Sequence, residues 1–359
     1  MVAARLAARV DQNPPEDHLP QTPTRFFGRQ RAVAELAGLL RATRVLTLLG
    51  PGGVGKSRLA SEIARRVRLR YPGGVALVQL APVSDPRVVP YVVARAVGLP
   101  DPPVSDLVET LARALRDRKA LLVFDNCEHL VDACAELAAE LLQRTRSLQV
   151  LATSRHVLGV MGEMTWMVPP LTVPDSSVAA DAQSIQRFEA VQLFMDRARA
   201  ARPDFCLNED NAAAIADICR RLDGLPLAIE LAAARVRAFN SRQIADRLDQ
   251  ELHLLVGGPR TAAARHRTMR ATLDWSDQLL SDAERRLLAR ASVFTDTWTI
   301  EALEAICANV DVPRCDASDL LSHLVVTRQV IHPGMFKEFT REAGMGLENG
   351  ADANLSVGG

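Results

Sequence analysis

Gly50-Pro51-Gly52-Gly53-Val54-Gly55-Lys56-Ser57 has the spacing G-x-x-x-x-G-K-S. The preceding Val45-Leu46-Thr47-Leu48-Leu49 is a short apolar run of the kind a buried parallel strand requires. In the following 58–67 segment, Leu59, Ile63 and Val67 share one face of a helix. Strand, glycine loop and helix in this order make a phosphate cradle: the glycines let backbone N–H groups turn inward, and the helix N-terminus adds partial positive charge. Lys56 is placed to bring a full charge to β- and γ-phosphates, and the Ser57 hydroxyl to ligate Mg²⁺. The stretch from Gly50 through Arg58 is therefore expected to bind a nucleoside triphosphate. A Lys-Ser pair ending a glycine turn has no structural purpose of its own.

At 359 residues the chain is too long for one ordinary core, and two or three domains are expected. A hydrophobic content of 48% with 24% charged residues reads as a soluble globular chain. Lys+Arg and Asp+Glu both count 43, so no global basic footprint for nucleic acid exists. The six cysteines, Cys127, Cys134, Cys206, Cys219, Cys307 and Cys315, form no C-x-x-C pair and read as reduced thiols rather than metal ligands. Arg5 and Arg9 interrupt the N-terminal apolar stretch, and no run is long enough to span a membrane, which predicts a cytoplasmic protein.

Outward from the loop, strands and helices alternate. An amphipathic helix ending near Leu40 carries Val33, Leu36, Ala37 and Leu40 on one side. A second strand is expected over 75–80, helices over 86–97 and 104–117, and a third strand over 120–126. That strand ends on Asp125, where a carboxylate faces the crevice of an open α/β sheet and can hold Mg²⁺; the alternative is an Asp that merely ends a strand or caps a helix. After a helix over 129–144, the strand 148–155 brings Thr153, Ser154 and Arg155 to the same edge. Either hydroxyl is placed to sense a γ-phosphate and Arg155 to pair with it, the bland reading being a solvated arginine after a strand. A last strand over 165–168 and Pro169-Pro170 close an α/β domain with a doubly wound parallel sheet.

Residues 1–22 read as a tail and linker, 23–172 as the sheet domain and 173–185 as a second linker. A small helical domain spans 186–256, in which Gly224 is a C-cap, Pro226 opens a helix and Ser241 N-caps another. Local capping accounts fully for the Gly-Leu-Pro stop and restart. Three short helices between 257 and 330, with the capping box Ser281-Asp282-Ala283-Glu284, suit a partial winged helix, and 331–359 is an irregular tail.

These stretches also occur together in a known family. Phe26-Phe27-Gly28-Arg29, the loop, Val123-Phe124-Asp125-Asn126-Cys127-Glu128-His129, Ala152-Thr153-Ser154-Arg155 and Gly224-Leu225-Pro226-Leu227-Ala228 resemble the ordered motifs of NB-ARC-type signal-transduction (STAND) P-loop ATPases. The likeness is to the ATPase core of bacterial regulators of the LuxR and antibiotic-regulator type. It implies an ATP/ADP switch with Mg²⁺, self-association or protein partners through the ATPase core, and a winged helix that packs over nucleotide rather than reading DNA. It further implies that Phe27, Gly28 and Arg29 lie near the adenine and ribose, that Pro226 packs on the adenine, and that Arg155 is the sensor.

Two departures shape the expectation. Asn126 stands where many such ATPases carry a second acid; an amide positions water but accepts protons poorly, so hydrolysis by Lys56, Asp125 and Asn126 should be slow unless Glu128 or another group serves. The pattern is also lost after Val326, which reads as a C-terminally truncated member. Two functions follow: a regulatory ATPase core acting as a nucleotide-controlled switch, or a non-switching nucleotide-binding module that associates with full-length relatives. Direct DNA binding is disfavoured by Asp274, Asp277, Asp282, Glu284, Glu301 and Glu304 in the last helical unit.

Overall fold

A computed structural model describes residues 24–99, 107–175 and 181–248, with the isolated positions 19, 285–287 and 290. Apart from those positions, the expectations for the two chain ends and for the winged-helix region lie outside the described residues. The chain divides into two units, Met1–Thr272 and Leu273–Gly359, and every element below belongs to the first.

Five strands form one parallel sheet: β1 (Val45–Leu49), β2 (Val75–Gln79), β3 (Leu121–Asp125), β4 (Gln149–Ser154) and β5 (Glu163–Met167), in the order β2-β3-β4-β1-β5. All five residues of β1 are buried, because helices cover both faces. On one face Val78, Phe124 and Ala152 join a core with Val93, Leu111 and Leu137 from helices α3 (Val89–Ala96), α4 (Leu107–Leu115) and α5 (Val131–Arg144). Helices α1 (Gln30–Ala42) and α2 (Lys56–Val67) lie on the other, α2 against β1, β3 and β4. Burying each large apolar side chain contributes about 1.5–3 kcal/mol. Packing therefore stabilises this edge, and the glycine loop is free to adopt a costly conformation.

Register aligns the strand ends. Leu49 pairs with Ser154, Phe124 with Ala152, and Gln79 with Asp125. Gly50, Asp125, Asn126 and 153–155 consequently share one sheet edge, where ligands of open α/β sheets bind.

The second layer is helical: α6 (Ala182–Ile185), α7 (Glu189–Ala201), α8 (Glu209–Arg221), α9 (Pro226–Ala234) and α10 (Ser241–Leu248). Helix α7 packs on α9, and α8 on α10. Pro226 opens α9 as the sequence predicts, while two caps differ from expectation. The α8 C-cap is Leu222, not Gly224, and Asp223 and Gly224 after it are both left-handed; Asp223 N donates to Arg220 O and Gly224 N to Cys219 O, the paired bonds of a Schellman motif. Ser241 lies inside α10; the cap is Asn240, whose side chain accepts from Gln243 N while the Gln243 side chain accepts from Asn240 N. In the sheet layer, Pro86–Val88 is a 3₁₀ turn capped by Asp85 and not part of α3, and β5 begins at Glu163 rather than 165.

Candidate nucleotide site

Gly53 and Gly55 carry φ of 80° and 93°, which aims the loop backbone inward ahead of α2. Space matters as much as torsion. A Cβ on Gly53 would sit 3.0 Å from Leu227 Cβ, and one on Gly55 would sit 3.1 Å from Arg29 Nη1 and 3.7 Å from Pro226 Cγ. The helical layer therefore touches the loop directly, and Leu227 N donates to Gly53 O at 3.2 Å. The buried Lys56 Nζ donates to the carbonyls of Gly50 (2.6 Å) and Pro51 (3.1 Å), which holds the ammonium against the loop, and Ser57 is exposed beside it.

Arg29 braces this arrangement. Its Nη2 donates to Val54 O and Pro169 O, both at 2.7 Å, and its backbone N donates to Glu189 Oε1 at 2.5 Å. Burial lowers its pKa to about 10, with Glu189 opposing the shift, so the guanidinium stays charged at neutral pH. Gly28 allows the Glu189 carboxylate to approach: at φ 64° its Cβ would lie 2.3 Å from Glu189 Cδ. Farther along α2, Arg58 donates to the backbone carbonyls of Thr24 and Arg25, both at 3.0 Å, tying the segment ahead of Phe27 to the loop helix.

At the β3 and β4 ends, the Thr153 hydroxyl donates to Asp125 Oδ1 (2.7 Å) and accepts from Asn126 N (2.9 Å). Asn126 is left-handed, with φ 70°. Its Nδ2 is 3.3 Å from His129 Nδ1, and His129 Nε2 is 2.7 Å from Val83 O. A carbonyl only accepts, so Nε2 carries the proton, Nδ1 accepts, and the Asn126 NH₂ is directed at His129. In the turn after β3, Glu128 faces Arg155 at 3.5 Å, with side-chain exposures of 5% and 3%.

These groups surround a cleft of about 340 Å³ lined by the loop, Asn126, Glu128, Thr153, Arg155 and the first turn of α9. Small-molecule sites begin at roughly that volume. A smaller cavity of about 50 Å³ adjoins it, lined by Phe27, Arg29, Leu171 and Leu193, and it shares Gly55, Arg58, Pro226 and Glu230 with the cleft. The structure thus brings together Lys56, Ser57, Arg58, Asn126, Arg155 and Pro226, with Phe27 and Arg29 at the small adjoining cavity. Asp125 is set behind Thr153 and does not line the cleft, and Gly28 lines neither space. Arg29 lines the small adjoining cavity, yet its Nη2 bonds go to protein carbonyls, so its first role is to hold the loop.

Sequence reading passed over Leu227, Glu230, Glu189 and His129. Glu230 had a signal: it stands four residues after Pro226 and hence on the same helix face. Arg197 Nε holds it at 3.0 Å. His129 and Leu227 stand inside quoted motifs without an assigned role, and Glu189 meets Arg29, far away in sequence, with no local pattern to mark it.

The residues fit a nucleotide. Inward-turned glycines and a buried lysine at a helix N-terminus suit the polyphosphate of ATP or ADP. Among the described residues no group of three or more His, Cys, Asp or Glu is arranged to hold a metal. Magnesium that arrives with phosphates needs just one or two protein oxygens; Ser57 lines the cleft, while Asp125 lies at the same sheet edge behind Thr153. No helix among the described residues is long and apolar enough to cross a membrane.

Comparison with known proteins agrees with this geometry. A family model for an AAA domain matches residues 40–161. The "Putative HTH-type transcriptional regulator Rv0890c" of Mycobacterium tuberculosis is 45% identical over 290 residues, 81% of this chain and 31% of that protein. The "Uncharacterized protein Rv0894" of the same organism is 40% identical over 286 residues, 80% of this chain and 70% of that protein. "Regulatory protein AfsR" of Streptomyces coelicolor is 28% identical over 331 residues, 86% of this chain and 30% of that protein. The chain therefore spans about a third of the length of the HTH-type regulator and of AfsR. An AAA-type P-loop domain related to transcriptional regulators accounts for the sheet, the loop and these matches together.

Proposed function

The chain belongs to the family of the mycobacterial protein Rv0894, and on that footing we propose that it is a regulatory ATPase core, an ATP/ADP switch of the NB-ARC and STAND kind. One observation carries the reading: the phosphate loop and the helical layer share the nucleotide cleft. Leu227 N bonds Gly53 O, and Pro226 stands against Gly55. A ligand that fills the cleft must therefore bias how the helical layer sits, and a nucleotide with and without a γ-phosphate biases it differently.

In this reading Lys56 and the loop amides bind the β- and γ-phosphates, Ser57 and Asp125 hold Mg²⁺, and Thr153 and Arg155 face the γ-phosphate. Bound Mg²⁺ supplies charge neutralisation of the phosphate oxygens. Phe27 and Pro226 enclose the adenine, and Glu230 stands between base and phosphates. Hydrolysis is slow, as suits a switch. The output is transcriptional regulation through protein partners or self-association in the cytoplasm; the equal counts of acidic and basic residues disfavour direct DNA contact.

The test begins with the nucleotide that co-purifies with the full chain, released by denaturation and separated by anion exchange, with Lys56→Ala as control. Hydrogen exchange at 171–172 and 224–227 is then compared between ADP and a non-hydrolysable ATP analogue. Lys56-dependent ADP and different protection in the two states are expected. Equal protection would replace the switch with a non-switching nucleotide-binding module that associates with relatives.

A further inference from the structure

His129 is half-buried in the turn after β3 and does not line the nucleotide cleft, whereas Asn126 does. Backbone bonds fix what lies on either side of its ring. Leu80 N donates to Asp125 O at 3.0 Å and Val83 N to Leu80 O at 2.9 Å, which sets the Val83 carbonyl beside the β3 end. Cys127 N donates to Thr153 O at 2.9 Å and Leu130 N to Cys127 O at 2.8 Å, which sets the turn that carries His129. The ring spans two anchored points: Val83 O lies 2.7 Å from Nε2, and the Asn126 amide nitrogen lies 3.3 Å from Nδ1.

A ring with one proton meets both partners in one way. Val83 O only accepts, so the proton sits on Nε2 and the Nδ1 lone pair faces Asn126. Turning the Asn126 amide over would set its oxygen against that lone pair. Moving the proton to Nδ1 would set Nε2 against a carbonyl. Either change gives up a hydrogen bond in a part-buried place. The amide therefore has a fixed sense, with NH₂ toward His129 and the oxygen on its opposite edge. The two carboxylates that line the cleft each face a cation, Glu128 with Arg155 and Glu230 with Arg197. Asn126 adds an uncharged acceptor to that wall.

Resting on the nucleotide-switch reading, we infer that His129 is a positioning residue for hydrolysis, holding the Asn126 amide with its oxygen toward the cleft as an acceptor for the attacking water. Asn126 Oδ1 accepts one O–H of that water, which leaves an oxygen lone pair for the γ-phosphorus. The water oxygen bonds to this phosphorus as the bond to the β–γ bridging oxygen breaks, and the electron pair of the broken bond leaves with ADP. One water proton passes to an oxygen of the transferred phosphoryl group, giving inorganic phosphate, because an amide orients water without taking its proton. A reversed amide would present NH₂, a donor suited to a phosphate oxygen and not to that O–H. His129 thus decides whether position 126 serves the water or the phosphate, and touches neither.

The tautomer is read in the full chain labelled with ¹⁵N-histidine and loaded with ADP, the His129 ring signals being identified by their loss in His129→Gln. A protonated Nε2 and a bare Nδ1 are expected; the reverse overturns the inference. Dissociation constants for ADP and for a non-hydrolysable ATP analogue, with single-turnover hydrolysis, are then compared in wild type, Asn126→Asp, His129→Phe and the double variant. In His129→Phe hydrolysis should fall about 10- to 100-fold. The ATP analogue should bind as in wild type or more tightly. A carboxylate offers an acceptor on either edge, so in the Asn126→Asp background His129→Phe should cost little. Equal loss in both backgrounds, or binding that weakens in step with the rate, makes His129 a brace between two loops and overturns the inference. So does a wild type that binds ATP and never hydrolyses it. Should His129→Phe fail to hold ADP, the tautomer decides, since that spectrum is taken on the wild type. Binding that ignores Lys56→Ala overturns the switch reading itself, whereas Lys56-dependent binding with equal losses overturns the role of His129 alone.

Discussion

On the sheet side of the cleft, Gly53, Gly55 and Lys56 follow a strand whose five residues are all buried. On the helical side, Pro226, Leu227 and Glu230 ride on α9, and the helical layer, through α9, the turn before it and α7, makes a small set of hydrogen bonds to the sheet layer. These include Leu227 N to Gly53 O, Leu171 N to Gly224 O, Ala190 N to Thr172 O and Arg29 N to Glu189 Oε1. At about 0.5–1.5 kcal/mol each, such bonds sum to a few kcal/mol. Shifting a two-state equilibrium from one extreme to the other takes about 5.5 kcal/mol of differential affinity. A nucleotide binding the two sides together can supply energy on that scale. In the proposed switch the sheet side is the cradle and the helical side the cover that nucleotide would move.

The contrast can be broken from either side. The largest effect is expected for Gly224→Ala. Its φ is 64°, and an added Cβ would lie 2.1 Å from Leu171 O, so the turn leading into α9 must lift from the sheet layer. A loss of about 3 kcal/mol or more in unfolding free energy is expected, with loss of bound nucleotide. Lys56→Ala should do the converse. Losing a charged hydrogen-bond donor to phosphate costs about 1.5–3 kcal/mol, or roughly 10- to 150-fold in nucleotide affinity. The melting temperature of the nucleotide-free protein should hardly move. If both variants lost stability and nucleotide in the same proportion, cradle and cover would be one rigid body.

Thr153→Val sharpens the sheet side. The hydroxyl it removes joins the Asp125 carboxylate to the Asn126 backbone N–H. Leaving that buried N–H without an acceptor costs about 1–3 kcal/mol. Thr153→Ser keeps the hydroxyl and should retain most of the stability and the response to γ-phosphate. Denaturant titrations of the two variants, each with and without nucleotide, separate the hydroxyl from the methyl group.

The two sides were also unequally legible in the sequence. Strand β1, the loop, α2 and the acid-ended β3 follow from patterns that span a few residues, and each formed where periodicity placed it. The start of α9 at Pro226 was local too. What escaped depends on long-range partners: Glu189 reaches back to Arg29, Glu128 finds Arg155 across a neighbouring strand, and Asp125 is drawn behind Thr153. The cap errors were of another kind. The C-cap fell on Leu222, and both Asp223, which tolerates the left-handed conformation, and Gly224, which Leu171 O approaches, adopt it after the cap. Asn240 displaced Ser241 because Gln243 stands three residues on and completes a reciprocal cap.

The smallest effect expected is in alkali, and here a residue of the cradle and a residue joining it to the cover respond with opposite signs. Tyr71 is buried, its hydroxyl donates to Gln149 Oε1 at 2.8 Å, and burial pushes its pKa up to about 12 from about 10. Between those values the folded chain keeps a proton that the unfolded chain releases, so this contribution is complete below pH 10 and is lost as pH rises toward 12. Arg29, which spans Val54, Pro169 and Glu189, is shifted by burial down to about 10. Above pH 10 its folded form releases a proton that the unfolded chain still holds, so it contributes stability as pH rises and withdraws it as pH falls back through 10. Denaturant unfolding of wild type and Tyr71→Phe across pH 9–12 separates the two. The wild-type curve should fall below that of Tyr71→Phe progressively from pH 10, while the variant retains the upward drift due to Arg29. Parallel curves would mean that the Tyr71 phenol titrates as freely in the folded chain as in the unfolded one.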